Sequence, residues 1–287
     1  MPNFVDIHSH LNFPEYDADR DAVLSRMKDA GVWTITVGTN LETSKSAVAL
    51  AEKATADGVG VFACIGLHPA DDVSAAWNEE AAREFETLAR HPRVVAIGEC
   101  GLDYFRIGTT SDGGALNNEE IAAAKKRQRD IFEAQIALAI AVDKPLMIHC
   151  REAYDDVYEI LAAKKRELAD VDGGAQAADK LRGNMHFYAG DLATAAKFLD
   201  IGFTISFTGV ITFARNYDEA IRAIPSDSIM SETDAPFVAP APYRGQRNEP
   251  THVQEVVKKI AEIRGVAEEE MRQTLVQNAV RTFKLAL

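Results

Sequence analysis

The amino-acid sequence predicts an α/β fold in which eight parallel strands and their helices close into a (β/α)8 barrel. Short apolar runs alternate with helix-like segments almost from end to end. A barrel of this kind needs about 250 residues, and the chain has 287. A doubly wound open sheet is disfavoured because no glycine-rich phosphate loop follows the first strand. No linker or repeat divides the chain, so we expect a single domain over residues 1–287.

The eight strands are predicted from apolar runs bounded by turn residues. They lie, in chain order, at residues 4–8, 33–39, 61–68, 94–99, 145–150, 184–189, 203–209 and 229–235. These spacings leave room for a helix or a helical connection after each strand, as the barrel requires.

Apolar residues at helical spacing predict the helices between and after the strands. They lie at residues 18–30, 41–57, 78–90, 119–142, 250–263 and 267–284. Asn117 and Glu120 resemble a capping pair ahead of the clearest of these helices, and Pro250 suits a first helical turn. Two Gly- and Asp-rich stretches, 107–118 and about 165–183, are predicted to be surface loops.

Composition and charge indicate a cytoplasmic, reduced protein. The N-terminus has no signal-peptide pattern, and no apolar run approaches the about 18 residues that a membrane span needs. Cys64, Cys100 and Cys150 have no CxxC spacing, which argues against a disulfide framework or a zinc ribbon. The net charge of −13 argues against a protein that grips long nucleic acid through a basic surface. Neither membrane contact nor an obligate protein partner is indicated.

Histidines and carboxylates recur where predicted strands end, which is the end of a barrel that carries the active site. Side chains two apart in a strand share a face, so FVDIHSHLN at residues 4–12 presents two imidazoles side by side. The full set is His8 and His10 from strand 1, Glu99 from strand 4, His149 from strand 5, His186 from strand 6 and Asp234 from strand 8. A lone histidine at a strand end is more often packing than a ligand. Five of the seven histidines, including His68, fall at strand ends, and this clustering favours a shared site.

Four imidazoles and two carboxylates exceed the needs of one metal ion. We therefore expect two divalent ions with a carboxylate between them, as in two-metal hydrolytic sites. A ligand set without thiolate suits Zn²⁺ or Mn²⁺ and also admits Mg²⁺. Hydrolysis is the reaction class that such a centre indicates.

The motifs resemble those of the TatD family of metal-dependent deoxyribonucleases, within the amidohydrolase-like superfamily of barrels. The matching pieces are DIHSHLNF, IGLHP, GECGLDYF, MIHCRE, ETDAPFVAP and the tail YRGQRNEPTHV…NAVRTF, which extend over essentially the whole chain. The HxH opening is common to the superfamily, whereas GECGLD, ETDAP and RNEP in this order are specific.

The resemblance implies a role for each matched residue. One metal is held by His8, His10, Glu99 and Asp234, and Glu99 bridges to a second metal held also by His149 and His186. Asp234 acts in addition as the general base. His68 faces the substrate phosphate, and Asp103 and Arg151 shape the phosphate pocket. The implied activity is hydrolysis of DNA phosphodiesters, from a 3′ end.

The chain departs from the family pattern in two places. After the fourth histidine the family has Cys-Phe-Ser-Gly, whereas this chain has Phe187-Tyr188-Ala189-Gly190. The connection from His149 to His186 is also longer, because of the stretch around 165–183. Neither change affects a predicted ligand, and both bear on which substrate fits.

Three functions remain open from the sequence. A deoxyribonuclease is favoured by five arginines predicted just beyond strand ends, Arg106, Arg151, Arg215, Arg244 and Arg247. A hydrolase of small molecules or of aminoacyl esters and amides is the alternative, because the fold alone does not fix the substrate. A non-catalytic metal-binding protein is disfavoured because no ligand position is lost. For the nuclease we expect an exonuclease on single-stranded or frayed ends, since a closed barrel mouth admits a chain terminus more readily than a duplex.

Overall fold

The computed structural model describes residues 1–70, 77–105, 107–109, 114–170 and 174–286. Eight strands form one sheet in chain order, each parallel to the next. They are β1 (Phe4–Ser9), β2 (Val32–Val37), β3 (Val61–Ile65), β4 (Val94–Asp103), β5 (Leu146–Arg151), β6 (Gly183–Met185), β7 (Thr204–Phe207) and β8 (Ile229–Ser231). The eight predicted strands and the (β/α)8 barrel are confirmed.

The described helices follow the strands, as the barrel requires. They are α1 (Arg20–Ala30), α2 (Leu41–Ala56), α3 (Glu79–Ala89), α4 (Asn118–Val142), α5 (Tyr154–Ala169), α6 (Gly174–Lys180), α7 (Leu192–Asp200), α8 (Asp218–Ala223), α9 (Val253–Arg264) and α10 (Glu268–Phe283). Asn117 and Glu120 form the predicted reciprocal cap of α4, and Pro250 begins a short 3₁₀ turn ahead of α9. Within the described ranges, no helix combines the length and apolarity needed to cross a bilayer.

The prediction of a loop at about 165–183 is wrong for most of its length. Helix α5 continues to Ala169 and α6 occupies Gly174–Lys180, while residues 171–173 lie outside the described ranges. The glycines and aspartates of this stretch suggested a loop, but alanine is the strongest helix former and dominates residues 175–178. Of the other predicted loop, 107–118, residues 110–113 lie outside the described ranges, and Thr109 bridges Ala115.

The barrel closes where the last strand returns to the first. The Asp234 amide donates to the His8 carbonyl at 2.9 Å, and the His10 amide donates to the Ala235 carbonyl at 2.6 Å. Ser9 and Ala235 form a parallel bridge at the same point. Closure therefore places the DIHSH and ETDAP motifs side by side, although more than 220 residues separate them.

Strand β1 carries both buried apolar residues and the polar residues of the DIHSH motif. Val5 and Ile7 are buried in one cluster with Val276, Ala279 and Phe283 of α10. Asp6, His8 and His10 of the motif are buried as well, and the pairing of β1 with β2 shifts register between Asp6 and Ser9. Helix α10 thus supports the strand that supplies the first two predicted ligands.

Candidate metal centre

The predicted site residues converge on a cavity of about 600 Å³ at the carboxyl ends of the strands. Its wall includes His10, His68, Glu99, His149, Arg151, His186 and Asp234. His8 is fully buried next to these residues, and Asp103 contacts Nε2 of the His149 ring. The structure thus brings all nine predicted site residues together.

One group of ligand-type atoms surrounds the first strand. The Nε2 atoms of His8 and His10 lie 3.3 Å apart. Glu99 Oε2 is 3.5 Å from His8 Nε2 and 3.7 Å from His10 Nε2. Asp234 Oδ1 is 3.6 Å and 3.4 Å from the same two nitrogens. Two imidazoles and two carboxylates therefore face one small volume.

A second group surrounds the other oxygen of Glu99. Glu99 Oε1 lies 2.8 Å from His186 Nε2 and 3.0 Å from His149 Nδ1. His68 Nε2 is 3.4 Å from the same oxygen, so this side chain also belongs to the group. The two oxygens of one carboxylate are thus divided between two histidine sets.

An irregularity in β4 points Glu99 into the barrel. The pairing of β4 with β5 shifts between Ile97 and Cys100, which inserts an extra residue and redirects the side chain between them. Gly98 and Gly101 flank this bulge with φ of +150° and +136°, a backbone conformation that L side chains rarely adopt. A Cβ at Gly101 would lie 2.0 Å from the carbonyl oxygen of His149. The glycines of the GECGLD motif therefore allow β4, which carries Glu99, to lie close against β5, which carries His149.

In His10 and His149, hydrogen bonds to neighbouring groups determine which ring nitrogen faces the centre. His10 Nδ1 lies 3.0 Å from the Val37 carbonyl and donates to it, which leaves Nε2 as a lone-pair donor facing the centre. His149 Nε2 lies 2.9 Å from Asp103 Oδ2, which leaves Nδ1 facing Glu99. Asp103, predicted to shape a phosphate pocket, contacts a predicted ligand directly.

A buried carboxylate that the sequence analysis did not select supports the barrel closure. Asp6 accepts hydrogen bonds of 2.8 Å from both the amide and the hydroxyl of Thr233, and one of 3.2 Å from Thr34. Burial raises its pKa well above the usual range, despite these hydrogen bonds. Asp6 lies two residues before His8, so strand alternation was the signal that could have identified it.

A second unselected carboxylate lies beneath His186. Glu232 is fully buried, accepts a hydrogen bond of 2.9 Å from Ser206, and accepts another from the Phe187 amide at 2.5 Å. Its Oε1 is 3.5 Å from His186 Nδ1. Glu232 lies two residues before Asp234 in the ETDAP motif, and this spacing is the signal in the sequence that could have identified it.

The RNEP motif stabilises the loop that carries Asp234. The Asn248 side chain is buried and donates to the carbonyls of Thr233 at 3.0 Å and Phe237 at 2.7 Å. The Asn248 carbonyl accepts from the Tyr16 hydroxyl at 2.6 Å. Asn248 therefore fixes the backbone on both sides of Asp234.

The ionisable groups of the centre shift one another's pKa values in different directions. Burial opposes ionisation of Glu99, but the imidazoles of His68 and His186 outweigh it, and the pKa of Glu99 falls well below its usual range. Burial also works against a charged His10, yet the hydrogen bond and charge of Asp234 raise the pKa of His10. By contrast, burial and the neighbouring His186 lower the pKa of His8.

These groups fit divalent cations. Ligand atoms about 2.1 Å from one ion and at tetrahedral angles are roughly 3.4 Å apart, close to the 3.3–3.7 Å separations in the first group. The Nε2 atoms of His8 and His186 face the centre, while their buried Nδ1 atoms have no hydrogen-bond partner within the described residues, although Glu232 Oε1 lies 3.5 Å from His186 Nδ1. The donor set is imidazole and carboxylate, which suits Zn²⁺, Mn²⁺ or Mg²⁺.

The predicted arginines divide into paired and unpaired side chains. Arg247 forms an ion pair with Asp19 at 2.7 Å, and Arg215 forms one with Asp218 at 2.6 Å. Arg106 lies outside the described residues. Within the described ranges, Arg151 and Arg244 form no ion pair. The argument for phosphate binding from five arginines is therefore weaker than the sequence suggested.

The residues that depart from the family pattern, 187–190, lie partly in the cavity wall and partly in the core. Phe187 and Ala189 line the cavity. Tyr188 is buried, and its hydroxyl donates to the Asp191 carbonyl at 2.6 Å. The Tyr188 phenol therefore packs next to Tyr154.

We expect Gly101→Ala to destabilise the protein by about 3 kcal/mol or more, because a positive φ and a backbone clash add together. Gly265→Ala is the matched control: its φ is +67°, but no atom lies within 4 Å of the added Cβ. There we expect about 1 kcal/mol from the backbone conformation alone. Urea unfolding of the metal-free proteins measures both, and equal losses would contradict the close approach of β4 to β5.

Comparison with known proteins places the chain among related sequences and structures. Residues 5–284 match the family model described as TatD related DNase. A Bacillus subtilis relative, named uncharacterized metal-dependent hydrolase YabD, is 35% identical over 283 residues, covering 98% of both chains. A Klebsiella pneumoniae relative, named 3'-5' ssDNA/RNA exonuclease TatD, is 32% identical and covers 91% of this chain and 90% of its own. The crystal structure of YJJV, a TatD homolog from Escherichia coli, matches with a TM-score of 0.81 at 26% identity over 99% of both chains.

Proposed function

Because the chain belongs to the family of TatD related DNases and is a metal-dependent hydrolase, we propose that it hydrolyses phosphodiester bonds at the ends of single-stranded DNA. The observation that carries the proposal is the division of Glu99 between two histidine sets, with Oε2 facing His8 and Oε1 facing His149. This arrangement supports a two-metal centre of the kind used in phosphoryl hydrolysis.

Two divalent ions, Mg²⁺, Mn²⁺ or Zn²⁺, are proposed to be the cofactors. His8, His10, Glu99 and Asp234 would hold the first ion, and Glu99, His149 and His186 would hold the second. When bound, such a pair supplies a polarised water and neutralises the charge that develops on the phosphate.

The side chains of the centre perform the remaining steps. Asp234 lines the cavity and accepts the proton of the attacking water as general base. Asp103 holds the His149 ring in the orientation that its Nδ1 needs. His68 and Arg151 line the cavity beside Glu99 and contact the substrate phosphate. These roles rest on the positions of the groups around one cavity.

The mouth of the barrel favours a chain end as substrate. The centre lies inside a cavity at the strand ends, where the paired backbones of a duplex do not reach it without separating. The net charge of −13 gives no long-range attraction to phosphate, so binding depends on the metal centre and a few local contacts. The 3′→5′ direction is supported by the name of the Klebsiella relative.

A 5′-labelled single-stranded oligonucleotide tests this function, with Mg²⁺, Mn²⁺ and Zn²⁺ supplied separately. We expect a ladder of products shortened from the 3′ end, and a shallow dependence of the rate on salt. The same sequence closed into a covalent circle is the control substrate, which we expect to remain intact. Efficient opening of the circle would contradict a requirement for ends. Hydrolysis of aminoacyl esters or amides without any DNA product would instead support the alternative function.

A further inference from the structure

Three phenylalanines are exposed at the end of the barrel that carries the centre. Within the described residues, the large hydrophobic side chains exposed to solvent are Met1, Phe105, Phe213 and Phe237. The phenylalanines are 41–46% exposed, and they follow β4, β7 and β8 respectively. Single exposed apolar residues are common, but three aromatic rings on loops at one end of a barrel form a pattern that needs an explanation.

Phe237 is the ring nearest the centre, and its backbone is held in place. It lines the cavity, and its ring centroid is 6.0 Å from that of His10. Its amide donates to the Asp234 carbonyl at 2.9 Å, and its carbonyl accepts from Asn248 at 2.7 Å. Val238 follows with φ of +49°, a conformation that a β-branched residue adopts only when its surroundings impose it. The ring is therefore exposed on a fixed backbone.

The other two phenylalanines each lie against an arginine. The Arg151 guanidinium is 3.5 Å from the ring centroid of Phe105, and that of Arg244 is 4.0 Å from the ring centroid of Phe213. Both arginines are free of ion pairs within the described ranges, and Arg151 also lines the cavity. Planar cations stacked on aromatic rings are the combination that contacts both the bases and the phosphates of a single strand.

We propose that Phe105, Phe213 and Phe237 form a stacking rim that holds unpaired nucleobases of the strand whose end lies at the metal centre. This proposal rests on the proposed function and identifies the side chains that hold the unpaired bases of its substrate. Bases in a duplex are already stacked on each other and offer no free face, whereas unpaired bases of any sequence present one to an aromatic ring. Phe237 takes the base nearest the scissile phosphate, since it alone of the three lines the cavity.

Binding of two oligonucleotides of equal length tests the stacking rim. One carries normal bases, and the other carries abasic residues at its three 3′-terminal positions, so the phosphates are unchanged. We expect the wild-type protein, loaded with Mg²⁺, to bind the first about tenfold or more tightly. Phe237→Leu keeps an apolar side chain but removes one of the three rings, and should lower this ratio about fivefold or more. Phe237→Trp should retain the ratio, and a 2-aminopurine base near the 3′ end should lose fluorescence with wild type and Phe237→Trp only.

The outcomes separate the stacking rim from the proposed function. Suppose that the wild-type protein cleaves both oligonucleotides and binds them with equal affinity, and that Phe237→Leu changes neither result. This outcome would overturn the stacking rim and leave the proposed nuclease activity intact. A large affinity ratio without cleavage under any of the three metals would overturn the nuclease and retain the stacking rim. Absence of both binding and cleavage would overturn both. Thermal unfolding of each variant confirms that the comparison is made between folded proteins.

Discussion

Replacement of Glu99 by glutamine is expected to lower turnover on the order of a thousandfold and to reduce bound metal below two ions per chain. The carboxylate offers one oxygen to His8 and His10 and the other to His149 and His186. An amide of the same shape has one oxygen and one NH₂ group. Whichever way it turns, one histidine set then faces a proton donor that cannot bind a cation. Elemental analysis after saturation with Mn²⁺ or Zn²⁺, together with turnover on the oligonucleotide, measures both effects.

His68→Ala provides the comparison for this experiment. His68 is 3.4 Å from Glu99 Oε1 and its Nδ1 accepts from the Ala70 amide at 3.1 Å. We expect this variant to retain its metal and to lose less activity than Glu99→Gln, because the proposed role of His68 is to position the phosphate. Equal metal content and equal rates in the two variants would show that the roles are assigned wrongly. A wild-type protein with no more than one ion at saturation would contradict the two-metal proposal.

The convergence of distant residues on one cavity was predictable because parallel strands impose it. Once eight strands are placed in chain order, every strand's carboxyl end lies on the same rim. His8 and Asp234 could therefore be expected to meet without any knowledge of the side chains between them. The same argument, carried further along alternating positions, would also have selected Asp6 and Glu232. Neither residue lies at the end of its predicted strand, 4–8 or 229–235, where the site was expected.

Side-chain partners across different loops were not predictable in this way. Arg247 was expected to be available for phosphate, but Asp19, 228 positions earlier in the chain, accepts two hydrogen bonds from it. Which charged residues pair depends on the three-dimensional course of loops, and spacing in the sequence carries no information on it. The bulge that redirects Glu99 could not be predicted for a similar reason. The glycines of GECGLD are visible in the sequence, but their contact with the β5 backbone depends on the strand register, which the sequence does not give.

Replacement of Asp234 by asparagine is expected to lower kcat by about a hundredfold to ten-thousandfold while the fold is preserved. Asp234 has φ of +55°, and its amide donates to the His8 carbonyl. Asparagine tolerates this left-handed conformation as well as aspartate does, whereas alanine does not. The substitution therefore removes the basic oxygen without disturbing the loop that closes the barrel, and the amide carbonyl can still face His8 and His10.

Metal content and kinetics together show whether Asp234 acts as the base. We expect Asp234→Asn to lose at most one ion per chain at saturating metal and to bind the single-stranded oligonucleotide as tightly as wild type, since its main loss is in proton transfer. Asp29→Asn, an exposed substitution on α1 with the same change of charge, controls for net charge and should keep wild-type kcat. If Asp234→Asn kept kcat within tenfold of wild type, the general base would have to be another group at the centre. The carboxylate of Asp234 would then serve only to hold the cation near His8 and His10.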